Sequence, residues 1–140
     1  MSSKFKHKML ADAFSALFAS TLDNQADYYD LKKTLNKKAW LKELCTVRIG
    51  TGRRAGHSTQ IKHLYKIYNE HGHAIVLVPK IALGRVIGYK DFISFEQISE
   101  EVLKDKRVIF VDNHIFMSKI QEEKLYDCLT EETRLIIFVQ

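Results

Sequence analysis

The fold is decided by residues 46–59, which read Thr-Val-Arg-Ile-Gly-Thr-Gly-Arg-Arg-Ala-Gly-His-Ser-Thr. A short strand pattern leads into a turn with three glycines, and a helical stripe of Ile61, Leu64, Tyr65 and Tyr68 follows. Glycines let successive backbone N–H groups point into one concavity, and a helix N-terminus adds partial positive charge. The segment therefore predicts a strand–turn–helix unit with the geometry of an anion-binding loop.

Apolar runs recur along the rest of the chain at the spacing of an alternating α/β fold. The predicted strands are Cys45–Ile49, Ala74–Val78, Arg107–Val111 and Arg134–Val139. Strands that are apolar throughout are usually buried on both faces, which favours a parallel sheet covered by helices. We therefore predict a three-layer α/β core with a parallel sheet of about four strands.

Helical patterns separate these strands. We predict one helix over His57–Glu70, a second from Ser94 to Asp105 that begins with a Ser-x-x-Gln capping box, and a third over Ile115–Leu129. The segment Ile81–Phe92 is ambiguous, because it fits a loop with either a short helix or a short strand.

The first 44 residues have helical rather than strand periodicity. Apolar residues recur at helical spacing over residues 5–18, and the Asp-Asn pair at residues 23–24 predicts the N-cap of a second helix. We therefore predict two N-terminal helices in an extension over residues 1–44, followed by the core over residues 45–140 in one compact unit. The apolar stripe of the extension is a candidate surface for a protein partner or a homo-oligomer.

Composition sets limits on the class of protein. The chain has 140 residues, 46% of them hydrophobic, and the longest apolar run is too short to span a membrane. A net charge of +5 favours an anionic partner such as a nucleotide, DNA or RNA, although a solvated lysine face has the same signature. Cys45 and Cys128 lie in apolar contexts, which predicts buried, reduced thiols and a cytoplasmic location.

Two overlapping motifs in the glycine-rich turn resemble those of the P-loop NTPases. The sequence at residues 56–59, Gly-His-Ser-Thr, resembles the Gly-Lys-Ser/Thr end of a Walker A motif. The preceding Gly-Arg-Arg-Ala-Gly is similar to the arginine-bearing phosphate loops of phage terminase large subunits and related helicase-like ATPases. The resemblance implies a nucleotide site formed by Gly52, Arg53, Arg54, Gly56, His57, Ser58 and Thr59.

A second motif of this family resembles Walker B. Residues 107–112 form an apolar strand that ends in Asp112, and in the family this aspartate and the loop hydroxyl, here Ser58, hold Mg²⁺. Hydrolytic members usually have glutamate next, where this chain has Asn113. A polar residue at the tip of the following strand senses the γ-phosphate, and Gln140 occupies that position. The family topology also implies the strand order 1-4-3-2.

Two departures from the family pattern weaken the prediction of catalysis. Histidine at position 57 replaces a permanently charged lysine, and Asn113 cannot act as a general base. We therefore expect a protein that binds ATP or GTP with Mg²⁺ and hydrolyses it weakly or not at all, such as a phage accessory factor in the host cytoplasm. A non-enzymatic module that binds nucleic acid or protein on the same scaffold is the alternative. A small nucleotide kinase, with residues 81–90 as a mobile loop, is a third hypothesis.

Overall fold

The computed structural model of the protein describes residues 3–50, 57–69 and 72–139, with the backbone alone for residues 3–11 and 57–59. Within these ranges, five parallel strands form a single sheet in the order β1-β5-β4-β2-β3. The strands are β1 (Thr46–Ile49), β2 (Ala74–Val78), β3 (Phe92–Ser94), β4 (Val108–Val111) and β5 (Leu135–Val139).

Helices connect the strands and precede the first of them. The α-helices are α1 (Ser3–Asp27), α2 (Leu31–Thr34), α3 (Lys37–Trp40), α4 (His57–Tyr68), α5 (Ile81–Ile87), α6 (Glu100–Leu103) and α7 (Lys119–Cys128). A π-helical segment, Leu41–Cys45, joins α3 to β1, and 3₁₀-helices span Phe95–Gln97 and His114–Phe116.

The α/β class and the parallel sheet are confirmed, but the predicted sheet of four strands in the order 1-4-3-2 is wrong. The sheet has a fifth strand, β3, which pairs with β2 through the register Leu77↔Ile93 and forms the edge of the sheet beyond β2. The sequence did not predict β3 because a three-residue edge strand of mixed burial contains no apolar run. The ambiguous segment Ile81–Phe92 contains both α5 and the start of β3.

The prediction of two N-terminal helices is also wrong. Helix α1 continues through residues 23–24 to Asp27, and the shorter α2, α3 and π-helical segments follow it. Burial explains the continuation, since Phe14, Phe18 and Gln25 lie against the core. The Gln25 Nε2 group donates to the carbonyl oxygens of Leu44 (3.1 Å) and Arg134 (2.7 Å). Tertiary packing therefore outweighs the local capping signal at residues 23–24.

Two of the predicted helices begin later than expected because different serines cap them. The Ser94 capping box exists, with the Ser94 N–H donating to Gln97 Oε1 (2.9 Å), but it begins the 3₁₀-helix rather than α6. At α7 the Ser118 N–H donates to Gln121 Oε1 (3.0 Å) and Ser118 Oγ accepts from the Gln121 N–H (3.1 Å). Helix α7 therefore starts at Lys119, not Ile115.

Helices cover both faces of the sheet, which gives the predicted three layers. Alternate residues of β2, β4 and β5 point to opposite faces, as the two-residue period of a strand requires. One face packs on α1 and α4 through Phe18, Ile61 and Leu64. The other packs on α7, α6 and the π-helical segment through Leu125, Leu103 and other residues. Full burial of a large apolar side chain stabilises the fold by about 1.5–3 kcal/mol, so both faces contribute to stability.

Gly84 allows close packing of α5 against β3. A Cβ atom built at this buried position overlaps the ring of Phe92. Although alanine is the better helix former by about 1 kcal/mol, overpacking costs about 1–3 kcal/mol. We therefore expect Gly84→Ala to lower the free energy of unfolding by up to about 2 kcal/mol in urea titrations.

Two further variants control this measurement. Val86 lies on the same helix with 85% of its surface exposed, so Val86→Ala should change stability by less than about 0.5 kcal/mol. The double variant Gly84→Ala/Phe92→Leu should recover part of the loss, because the smaller side chain makes room. A Gly84→Ala protein more stable than the parent would contradict the packing argument.

The Glu123 carboxylate joins α7 to the segment before β1. It contacts Lys38 Nζ, and Lys42 Nζ lies 2.7 Å from its Oε1 atom. Hydrogen bonds from Lys38 and then Lys42 lower the pKa of Glu123 from 4.5 to about 2. Because the folded-state pKa is depressed, these contacts stabilise the fold above pH 4.5 and lose their effect as the pH falls towards 2.

We therefore expect the stability difference between the parent and Glu123→Gln to depend on pH. The parent should be the more stable protein at neutral pH, and the difference should disappear near pH 2. Denaturant titrations at several pH values measure this stability difference. The difference should shrink in high salt because Glu123 and its two lysine partners are partly exposed. Glu132→Gln serves as a control on an exposed turn and should show no such trend.

Candidate functional site

The glycine-rich turn begins where β1 ends, at the carboxyl edge of the sheet. Four of the predicted phosphate-binding residues of the turn lie outside the described residues, namely Gly52, Arg53, Arg54 and Gly56. Gln140 also lies outside them. The chain is described again from His57, and His57, Ser58 and Thr59 form the first turn of α4. Their side chains also lie outside the description. Helix α4 has 12 residues, so its N-terminus directs a partial positive charge towards this edge.

Strand pairing brings the end of β1 and the end of β4 to the same edge. Ile49 pairs with Val139, and Val111 pairs with Phe138, so β5 lies between the two strands. Neighbouring strands are about 4.8 Å apart, which places the ends of β1 and β4 about 10 Å apart. In open α/β sheets the carboxyl edge is where ligands bind.

Asp112 is the acidic residue at this edge and is 1% exposed. Its backbone N–H donates to the Leu77 carbonyl oxygen (2.9 Å), and its Oδ2 atom accepts from the Tyr89 hydroxyl at 2.6 Å. Tyr89 belongs to the hydrophobic cluster under α4, so the carboxylate lies on the α4 side of the sheet. A buried carboxylate requires such donors, and it faces the side from which the N-terminus of α4 approaches.

The backbone conformation at position 113 favours asparagine. Its φ angle is +52°, and within the described ranges it is the one residue other than glycine with positive φ. Asparagine adopts the left-handed region more readily than most residues. The turn at Asn113 directs the chain from β4 into the 3₁₀-helix His114–Phe116. The asparagine that the sequence has in place of the expected catalytic glutamate is therefore a turn residue.

A polar cluster on the opposite face of the sheet was not predicted from the sequence. Glu122 Oε1 contacts His114 Nε2 at 2.7 Å and an Arg48 guanidinium nitrogen at 3.6 Å. The Phe138 ring contacts both partners, with its centroid 4.7 Å from the Arg48 guanidinium carbon and 4.2 Å from the His114 ring centroid. The only sequence signal for this cluster is Arg48 itself, the one charged residue of β1.

His114, the first residue of the 3₁₀-helix, is largely buried. Its side chain is 13% exposed, and its Nδ1 atom is buried without a hydrogen-bond partner in the described structure. Glu122 therefore holds the ring through Nε2 alone. This arrangement orients the imidazole against Phe138 and stabilises the turn that follows Asn113.

The two thiols are buried and unpaired, as predicted. Burial raises the pKa of Cys45 to about 12, and burial also raises the pKa of Cys128. The thiolate is the reactive form of cysteine, so neither residue is suited to nucleophilic catalysis at neutral pH.

Across residues 3–50, 57–69 and 72–139, no group of three or more His, Cys, Asp or Glu side chains is arranged to hold a metal ion. His73, for example, is engaged through Nδ1 with the Asp105 carbonyl oxygen (2.9 Å). The predicted Mg²⁺ pair consists of one described side chain, Asp112, and one outside the description, Ser58. None of the described helices is long and apolar enough to cross a bilayer.

Comparison with known proteins gives no relative for this chain: no family model, no curated protein and no solved structure matches it.

The hydrogen bond between Tyr89 and Asp112 can be tested by removing one oxygen atom. Tyr89→Phe takes away the donor at 2.6 Å from a carboxylate that is 1% exposed. Hydrogen bonds to buried charged groups are worth about 1.5–3 kcal/mol, so we expect a loss of that size in the free energy of unfolding at pH 7.

The control is Tyr29→Phe, because Tyr29 is 57% exposed and should tolerate the change. Chemical denaturation of both variants gives the comparison. Equal stability of the Tyr89→Phe protein and the parent would show that the bond contributes nothing to the fold.

Proposed function

We propose that the carboxyl edge of the sheet, on the α4 side, binds the phosphates of ATP or GTP with Mg²⁺, and that hydrolysis there is slow or absent. The observation that supports this proposal is the position of Asp112. This aspartate is buried at the end of β4 on the side of the sheet covered by α4, and a single strand, β5, separates β4 from β1. An acidic group at the same sheet edge as the turn of a strand–turn–helix unit is what Mg²⁺-dependent phosphate binding needs.

The glycine-rich turn supplies the phosphate contacts in this proposal. Backbone N–H groups from Gly52 to Gly56 and the N-terminus of α4 surround the phosphates. Arg53 and Arg54 supply the positive charge that a lysine at position 57 would otherwise contribute, and His57 donates a single hydrogen bond.

Other residues contact the metal ion and the γ-phosphate in this proposal. Ser58 and Asp112 hold Mg²⁺, which prefers oxygen ligands and keeps several of its waters. Thr59 belongs to the same nucleotide-binding set as Ser58, and Gln140 contacts the γ-phosphate. A metal held in this way bridges the phosphates and fixes their orientation.

Slow or absent hydrolysis follows from the residue after Asp112. A general base must accept a proton from the attacking water, and an asparagine amide cannot do so. The left-handed backbone at Asn113 supports this part of the proposal, because it gives the asparagine a conformational role that glutamate fills poorly. We therefore propose a nucleotide-binding protein rather than an efficient ATPase.

Calorimetric titration with ATP and with GTP tests the proposal. With Mg²⁺ we expect a dissociation constant below about 1 mM, equivalent to more than about 4 kcal/mol of binding free energy. His57→Lys should tighten binding, because it restores a permanent charge next to the phosphates. Asp112→Asn should weaken binding in Mg²⁺ more than in EDTA, because it removes a metal ligand.

The matched control is Asp105→Asn, which makes the same change at an exposed turn on another part of the surface. It should bind nucleotide as the parent does. Thermal unfolding of each variant separates a lost ligand from a lost fold. Absence of heat with either nucleotide at millimolar concentration, in a folded protein, would overturn the proposal.

A further inference from the structure

A cavity of about 450 Å³ lies beside α4 and the turn that follows α5. Three of its lining side chains are lysines: Lys62 and Lys66 from α4, and Lys90 from the turn. The remaining lining residues are uncharged: Tyr65, Asn69, Gly88 and Tyr89. Its volume is in the range of small-molecule sites, and its charged groups are all cationic.

The lysines that line the cavity come from two elements of the backbone. Lys62 and Lys66 are four residues apart on α4, so they lie on the same helical face. Gly88 ends α5 with a φ angle of +88°, which turns the chain towards Lys90. The Lys62 Nζ group donates to the Ile87 carbonyl oxygen at 3.0 Å and ties α4 to this turn.

This arrangement of like charges is unfavourable without a ligand. Like charges at four-residue spacing on a helix destabilise it by a few tenths of a kcal/mol, and a third cation adds to the repulsion. Lys66 and Lys90 form no ion pair within the described part of the chain. The Asp91 carboxylate accepts a hydrogen bond from the Tyr65 hydroxyl at 3.4 Å. A bound anion would remove the repulsion.

The cavity floor is neutral, and its polar groups already have partners. Asn69 Nδ2 donates to the Tyr65 hydroxyl (2.8 Å), and Asn69 Oδ1 accepts from the Ala74 N–H (3.0 Å). Burial, followed by the charge of Asp91, raises the pKa of Tyr65 to about 12, so the phenol stays uncharged. Tyr89 donates its hydroxyl hydrogen to Asp112. Recognition is therefore left to the three ammonium groups.

Burial of the two tyrosines restricts the ligand further. Tyr65 is 6% exposed and Tyr89 is 7% exposed, so neither ring presents a face on which a base can stack. Lysine is a compact point charge that binds phosphate oxygens without selecting a planar group. The matching ligand carries several negative charges on phosphate groups, and its base, if it has one, does not contribute.

We propose that this cavity is a second anion site, which binds a polyphosphate group through Lys62, Lys66 and Lys90 independently of a metal ion. The same chemistry is present in a free polyphosphate and in successive phosphates of a single-stranded nucleic acid. A flexible single strand can enter a recess, whereas a stiff duplex cannot. The site does not depend on the proposed nucleotide function, since it uses neither the glycine-rich turn nor Asp112.

Titration with inorganic tripolyphosphate in EDTA tests this site, because the metal chelator removes the contribution of Mg²⁺ at the other one. We expect binding that weakens with added salt. Lys66→Gln and Lys90→Gln should each reduce the affinity severalfold, and the double variant should reduce it by about tenfold or more. Lys124→Gln, the same change on α7 across the sheet, is the control and should have little effect.

Three comparisons decide the outcome. Retention of tripolyphosphate binding in Asp112→Asn, with its loss in the Lys66/Lys90 variant, supports a separate site even if nucleotide binding fails. In EDTA, the Lys66→Gln/Lys90→Gln double variant should reduce the affinities for ATP and for tripolyphosphate by similar factors, and a loss confined to ATP would overturn recognition by phosphate alone. Equal effects of Lys66→Gln and Lys124→Gln would overturn the site itself.

A labelled oligothymidylate of about 16 nucleotides distinguishes a nucleic acid backbone from a free polyphosphate as the ligand. If the oligonucleotide competes with tripolyphosphate and depends on the same lysines, a nucleic acid backbone is the ligand. If it does not compete, the ligand is a small polyphosphate. Absence of binding by both probes at low salt would overturn the proposal.

Discussion

The structure depends on the insertion of β5 between β1 and β4. Thr46 pairs with Ile136 on one side, and Val108 pairs with Leu135 on the other. In the described sheet β1 has no other neighbour, so without β5 its backbone groups would lose their partners. The segment leading into β5 also receives Gln25, which bonds to the Arg134 carbonyl oxygen. The end of β1 and the buried Asp112 therefore keep their separation only while this strand is in place.

The central part of this architecture could be predicted from the sequence because it depends on burial. Ala74–Val78 and the other apolar runs have no alternative to the interior of a parallel sheet. Features that depend on packing between distant segments could not be predicted. Helix α1 passes the capping signal at residues 23–24 because Gln25 is buried and bonds to the carbonyl oxygens of Leu44 and Arg134, and β3 is too short to produce a pattern.

The same distinction applies to the candidate site. Asp112 could be predicted, because an acidic residue after an apolar strand is a local signal. Tyr89 could not, because it comes from the ambiguous segment before β3 and reaches Asp112 only through the fold. The cluster of Arg48, Glu122 and His114 was missed for the same reason, since it combines residues from β1, a 3₁₀-helix and α7. Spacing along the chain carries no information about such contacts.

The left-handed turn at Asn113 has an evolutionary consequence. Most side chains lose about 1–2 kcal/mol in this backbone conformation, and glutamate has no short polar group to offset that loss. A chain that acquired glutamate at position 113 would therefore have to tolerate the strain or change the turn before His114 as well. A single substitution is therefore a poor route to a glutamate in this position.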